Sequence, residues 1–575
     1  MKFIFDIKNP QQQYIQITAE IKSSGDETEI FLPAWRPGRY ELGDFAKNIN
    51  HFGVFNEKGE DLPFAKQNKN TWLVQSKGTE VLIVKYSYYA AELNAGSTYL
   101  DATQLYVNPV NCCVFTDDIY DDEISVQLNI PDEWKVANPL KTINKQFKAS
   151  NFDELADSPF ICSSQLQHKS YEVDGTTFHI WLNGIIKPDW ERLIVDFKKF
   201  TESQVKRFLT FPTDEYHFLC QIVPYKLYHG VEHCKSTVIA LGPSYAVFGE
   251  LYKELLGVSS HELYHTWNVK AIRPIEWTPY DFKKESYSKL GYIAEGVTTY
   301  MGDLFLYKSG VFTLDQYLLE MNTQIQKHKD NFGRYNYSVA DSSFDTWLDG
   351  YTPGAPARKV SIYTEGCLLS FMLDVHLLKF TDNNYRLDDV MTNLYHKYAI
   401  KGIGVTEEIY QTEIEKFTNT SMQWFFDDYV NGTKDYTPEL IKCFNAVGLK
   451  LYSAYSGSEF ASYLGAKIIT ESNETTVLSI YPNSPLDTAG AIIGDKVISV
   501  NDIVINNDAE EWAKFFRDDD VTVTVARKGQ LIQLQLPKGN RTNQLYYKRY
   551  YLRKIADDKL TQEQKQTFES WSDLD

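Results

Sequence analysis

The five residues His261-Glu262-Leu263-Tyr264-His265 limit what this chain can fold into more than any other feature. Residues four apart share one face of an α-helix, so a helix here brings both imidazoles to a single ion. Glu262 stands beside them and can take a proton from a water on that ion, whose pKa zinc lowers towards about 7. Just upstream, Phe248, Leu251, Tyr252 and Leu255 have the spacing of a helix with one apolar side, as a buried metal helix requires. The pattern predicts a zinc helix in a hydrolytic site. A catalytic zinc takes three protein ligands and keeps one position open. Glu276, Asp281, Glu285, Glu295 and Asp303 follow as candidates for the third. Glu295 is the best of them, because Tyr292 to Tyr300 is an amphipathic helical stretch that can cross the first helix.

At 575 residues the chain exceeds one ordinary core, and three or four domains are expected. The reading is a multidomain α+β protein. Residues 1–165 form an N-terminal β domain, a sandwich or saddle, with alternation in Tyr14-Ile15-Gln16-Ile17-Thr18 and from Val81 to Tyr88. Residues 166–446 are mainly helical, with a helix starting near Pro188 and strands such as His217 to Val223 before the zinc helix. Residues 447–540 return to short strands, two of them joined by the turn Arg527-Lys528-Gly529-Gln530. Residues 541–575 form a charged tail with a helical pattern.

The net charge of -19 disfavours nucleic acid and anionic membrane surfaces as partners. The seven cysteines are scattered, without a C-x-x-C pair, and only Cys112 and Cys113 are adjacent; this usage fits a reducing compartment. The start has no long apolar stretch before charge appears, and no run of about 18 apolar residues occurs anywhere. A cytoplasmic protein is expected.

A set of motifs taken in order carries more. These are Pro33-Ala34-Trp35-Arg36-Pro37-Gly38-Arg39-Tyr40 with Asp44-Phe45, then Gly230-Val231-Glu232-His233, His261 through Pro274, Glu295-Gly296, and finally Ser484-Pro485, Ala489-Gly490 and Gly494-Asp495. Together they resemble the glycyl aminopeptidase family of PDZ-bearing zinc peptidases, gluzincins related to the aminopeptidase N group, over nearly the whole length. The resemblance implies a thermolysin-like catalytic domain at 166–446 and a PDZ-like domain at 447–540. It implies Glu295 as the third zinc ligand, in the context of Gly296 and Tyr300, although the gap from His265 is longer than in aminopeptidase N. It also implies that Gly230 and Glu232 form the exopeptidase motif, with Glu232 pairing the free α-amino group of the substrate. Tyr363, ahead of Thr364-Glu365-Gly366, matches the tyrosine that hydrogen-bonds the oxyanion, with Glu365 where lysine is usual; Tyr351 and Tyr337 compete for that role. Roles for Trp267, Lys270 and Arg273 stay open, and His233 and Cys234 read as wall residues. Leu464-Gly465-Ala466-Lys467-Ile468 is similar to a PDZ carboxylate-binding loop, with Ala466 smaller than the usual residue.

The resulting expectation is a zinc aminopeptidase acting on peptides with a free N-terminus and releasing small residues, glycine or alanine. Two alternatives are an endopeptidase using the same zinc, and a PDZ scaffold whose peptidase part is inactive.

Overall fold

The computed structural model describes residues 1–352, 354–540 and 544–573. It divides into two compact units, one of Met1–Tyr317, Asn331–Val447 and Thr561–Asp575, the other of Leu318–Asp330 and Gly448–Leu560.

In the first unit, period-two alternation builds the N-terminal sheets. Strand Tyr14–Lys22 buries every second residue and pairs antiparallel with Val81–Tyr89, with Ile17 opposite Tyr86. These strands are central in a six-stranded sheet, which with a three-stranded and a four-stranded sheet encloses one aromatic-rich core. The loop after strand Glu27–Phe31 leaves this region. Its Trp35 indole N–H donates to the Asp281 carbonyl at 2.7 Å, and the Ala34 N–H donates to the Phe282 carbonyl at 2.7 Å. Trp35 is fully buried there against Tyr280, Phe282 and Trp347.

The next region begins with a five-stranded sheet in the order Gln167–Val173, Thr176–Asn183, Glu215–Ile222, Ser236–Gly242, Leu227–Glu232. Its three inner strands are parallel, and Leu227–Glu232 is an antiparallel edge strand. The helix Trp190–Phe208 connects two of the parallel strands, its N-terminus capped by the Asp189 carboxylate. The helical layer follows. Helix Tyr252–Tyr264 carries the H-E-x-x-H residues. A wide π-helical turn, Tyr292–Val297, runs into helix Thr298–Lys308. Helix Ile362–Phe380, almost wholly buried, packs on that turn. The contact is glycine on glycine: a Cβ on Gly296 would lie 2.3 Å from the Gly366 Cα, so any side chain at either position would force the two apart.

In the second unit, five strands in the order Ala466–Glu471, Glu474–Ile480, Lys496–Val500, Val521–Arg527, Gln530–Leu536 form the PDZ-like sheet. The sequence marks have structural work there. Ser484 caps helix Pro485–Thr488, Gly490 and Gly494 adopt positive φ, and Asp495 holds the Arg527 guanidinium at 2.8 Å. At the turn between the last two strands, Lys528 and Gly529 both have positive φ, matching a type I′ hairpin.

The segment beyond 540, read from sequence as helical, is mixed. Lys548–Lys554 is a strand paired antiparallel with Leu449–Tyr455, with Tyr452 stacked on Tyr551 at 5.5 Å. Cross-strand aromatic packing outweighs the local helical pattern. Helix Gln562–Ser572 belongs to the first unit, where Trp571 is fully buried and donates to the Tyr300 hydroxyl at 2.9 Å. Among the described residues, no helix is long and apolar enough to cross a membrane.

Candidate active site

Helix geometry turns the two histidines to one point, with His261 Nε2 and His265 Nε2 3.0 Å apart. Glu295, on the π-helical turn, puts Oε2 3.4 Å from His265 Nε2 and 3.8 Å from His261 Nε2. Of the five downstream acids, Glu295 is the one that the fold brings to the imidazoles. Glu276 instead accepts from the Ser288 hydroxyl at 3.0 Å. A π-helical turn widens the helix by one residue per turn and re-aims a side chain, a device common at functional sites.

The outer contacts leave the three inward atoms for a cation. His265 Nδ1 donates to the Asn268 carbonyl at 2.7 Å, which leaves the Nε2 lone pair facing inward. Asn268 is itself tied to the turn, its amide donating to the Ile293 carbonyl at 2.9 Å. On the other side the Tyr40 hydroxyl donates to Glu295 Oε1 at 2.6 Å and keeps Oε2 turned to the histidines. Tyr40 comes from the N-terminal β region and stacks on Trp277 at 5.1 Å. This donor set, two imidazole nitrogens and a carboxylate oxygen with an open side, suits zinc. Burial opposes charge on His265, but Glu295, Glu232 and Glu262 outweigh it and raise its pKa to about 10. A dication at that point would take over the balancing of those carboxylates.

Glu262 is buried, and its Oε2 has no hydrogen-bond partner. Burial pushes its pKa well up, the nearby Glu232 and Glu295 add to this, and His265 opposes it. The edge strand passes close by: a Cβ on Gly230 would lie 2.2 Å from Glu262 Oε1. Gly230 therefore makes room for the Glu262 carboxylate. Two residues on, Glu232 is only 4% exposed and its Oε1 also lacks a partner. Carboxylate oxygens of Glu232 and Glu262 and a ring nitrogen of His265 all lie within 4.8 Å of one another. The Pro37-Gly38 loop closes over Glu232, and Arg36, buried nearby, adds positive charge that favours ionised Glu262.

Behind Glu232 lies a buried ionic knot. Asp157 accepts from Lys270 Nζ at 2.7 Å, from the Cys234 N–H at 2.7 Å, and lies 3.1 Å from His233 Nδ1. Arg273 sits 3.9 Å over the Tyr280 ring. Lys270, Arg273, His233 and Cys234 thus belong to the wall, and Trp267 packs on Phe208 at 4.6 Å.

Tyr363 lies in the first turn of helix Ile362–Phe380, with its hydroxyl 3.4 Å from that of Tyr351. Burial raises the pKa of both phenols, and for both the Glu295 carboxylate is the next cause; Tyr351 reaches about 12. Tyr337 instead lies under Arg358, 5.0 Å away. Glu365, standing where lysine is usual, is buried and accepts from the Tyr436 hydroxyl.

Tyr40 is the residue that sequence reasoning did not assign. Its motif is conspicuous, but Tyr40 and Glu295 are 255 positions apart, and nothing local marks them as partners. Replacing Tyr40 by phenylalanine is expected to weaken zinc binding about 10- to 100-fold, as loss of such supporting bonds does. Competition with a calibrated chelator measures this, and unchanged affinity would show that Glu295 needs no such support.

Three protein-family models match the chain. The Peptidase M61 N-terminal domain matches residues 2–164, the M61 glycyl aminopeptidase matches 254–369, and a PDZ domain matches 476–527. No curated protein matches the sequence. Among solved structures, an aminopeptidase N family protein from Idiomarina loihiensis is 25% identical with a TM-score of 0.91, and 99% of each chain is covered. A mutant M1 zinc metallopeptidase from Deinococcus radiodurans, bound to a Tyr-Ser-Ala substrate, is 12% identical with a TM-score of 0.46, covering 75% of this chain and 93% of that one. The family matches and the first neighbour agree with the resemblance read from the motifs, and they make this chain a peptidase, a hydrolase of peptide bonds.

Proposed function

We propose that this chain, a peptidase with the domain order of the M61 glycyl aminopeptidases, is a zinc aminopeptidase that releases glycine or alanine from the N-terminus of peptides. The observation that carries this reading is the Glu232 carboxylate, buried, without a partner on Oε1, and clustered with Glu262 and His265. A buried carboxylate oxygen left without a hydrogen bond is costly even with the Arg36 charge nearby. The ammonium of a substrate supplies a charged donor to that oxygen. A peptide anchored there brings its first carbonyl to the metal ligands, so one residue leaves per event.

His261, His265 and Glu295 would hold the zinc, with Asn268 and Tyr40 orienting two of them. When bound, zinc supplies Lewis-acid polarisation of the scissile carbonyl and lowers the pKa of a water towards about 7. Glu262 takes the proton of the attacking water and returns it to the leaving nitrogen. Tyr363 donates its phenolic hydrogen to the developing oxyanion, and burial keeps that phenol neutral. Gly230 gives Glu262 its space. The preference for glycine and alanine rests on the family likeness.

The test is turnover of matched dipeptide amides with free and acetylated N-termini, with and without chelator. Free-amine glycyl and alanyl substrates are expected to be cleaved, and acetylated or chelator-treated samples are not. Cleavage of acetylated peptides at equal rate would replace this reading by an endopeptidase. For the oxyanion donor, Tyr363→Phe is expected to lower kcat about 10²-fold with KM little changed. Tyr351→Phe should cost far less, and a larger loss in Tyr351→Phe would exchange the two roles.

The partition of the chain at about 165, 446 and 540 is part of the same proposal, as is a cytoplasmic location; in its support, all seven cysteines are free thiols. The strand Ala466–Glu471 lies at the edge of the PDZ-like sheet, which supports a second peptide contact, a C-terminus adding there as a strand.

A further inference from the structure

Away from the Glu295 site, a second set of metal-ligating side chains meets where helix Ile362–Phe380 packs on helix Thr437–Ala446. His376 Nε2 lies 3.5 Å from Glu439 Oε1 and 3.9 Å from Cys443 Sγ. Glu439 and Cys443 are four apart, on one face of their helix. All three ligand atoms lie within 4.8 Å of one another, the same bound that the His261, His265 and Glu295 set meets. In a tetrahedral zinc site with bonds of roughly 2.0–2.3 Å, neighbouring ligand atoms are on the order of 3.3–3.6 Å apart. The His376–Glu439 separation falls in that range, and the His376–Cys443 separation exceeds it by a few tenths of an ångström.

The surroundings sort the donors. The Cys443 side chain is buried, and His376 is walled by Trp424 at 5.5 Å and Phe380 at 5.8 Å. Glu439 is 18% exposed, so an ion enters from its side. Lys442 Nζ binds Glu439 Oε2 at 2.8 Å and leaves Oε1 to face the histidine. Lys379 and Lys442 place positive charge nearby and oppose a cation. A thiolate and a carboxylate balance a divalent ion in full, which offsets that opposition.

A different cluster shows what an unsuitable set looks like. His179, His217 and Glu215 also converge. There the Trp181 indole donates to His217 Nδ1 at 3.1 Å, which puts the proton of the neutral ring on Nε2, the nitrogen facing Glu215. On His376, Nε2 faces the Cys443 thiol, whose proton is the one a metal ion replaces.

We propose that His376, Glu439 and Cys443 form a second zinc site, with one open position, that pins helix Thr437–Ala446 to the helix carrying Tyr363. Its ligands include sulfur, and those of the catalytic set do not. Metal binding replaces the thiol proton of Cys443, so one proton is released per ion bound.

Cobalt(II), added to full-length protein stripped by chelator, tells the two sites apart. The expected result is two equivalents bound and a near-ultraviolet thiolate-to-cobalt charge-transfer band. Cys443→Ser should lose the band and one equivalent. Glu295→Gln should keep the band while binding at the catalytic set weakens, so the outcome is independent of the peptidase reading. If Cys443→Ser does not fold, His376→Gln gives the same readout. In the Glu295→Gln background zinc should also raise the unfolding temperature, and it should not do so when Cys443→Ser is added. A Glu295→Gln protein without the band, or a Cys443→Ser protein that binds as much cobalt as the parent, would overturn the proposal.

Discussion

Replacing Glu262 by glutamine is expected to leave zinc content unchanged and to lower kcat about 10³-fold. The amide matches the carboxylate in size, and Glu262 is 5% exposed in a slot shaped by Gly230 and Val258, so the packing is preserved. On the proposed mechanism, what disappears is the capacity to accept a proton from the attacking water and hand it to the leaving nitrogen. His261, His265 and Glu295 are untouched by the change, so metal analysis should return the parental stoichiometry. The diagnostic pattern is a full metal complement with collapsed turnover. A metal-loaded glutamine variant that retains most of its rate would place the proton transfer on another group.

Glu232→Ala should split substrates by their N-termini. For free-amine dipeptide amides, kcat/KM is expected to fall about 10²- to 10³-fold, in line with the 2–5 kcal/mol lost when one partner of a buried charge pair is removed. For N-acetylated peptides, already poor, little should change. The ratio between the two classes, rather than either rate alone, reads the role of this carboxylate. Glu232 makes no hydrogen bond through Oε1 in the free protein. Its removal therefore strips no structural bond from that atom, and the variant should fold. A loss of only a few-fold would mean that the amine is anchored elsewhere.

The parts of this site that a sequence can disclose are those written in short-range spacing. The i, i+4 histidines, the glutamate between them and the apolar stripe upstream follow from helix geometry. Alternation in Tyr14–Lys22 and Val81–Tyr89 likewise disclosed the N-terminal sheets. Glu295 was reachable as the best placed of five candidate acids, in an amphipathic stretch that could cross the first helix. The π-helical turn that aims it was not, because its extra residue per turn leaves no mark in apolar periodicity. Tyr40 was hidden for a different reason: a hydrogen bond between a loop of one sheet and a turn of another region has no local pattern. Strand Lys548–Lys554 was misread because its pairing with Leu449–Tyr455 spans about a hundred residues, while the charges nearby mimic a solvated helix.

The reach of Tyr40 into the Glu295 carboxylate has a practical corollary for anyone dissecting the chain. Expressed without the first 165 residues, the remainder would keep His261, His265 and Glu295 but lose the clamp on Glu295, together with the Trp35 plug that seats the loop. Such a fragment is a poor surrogate for the whole, because the two parts share one hydrophobic core.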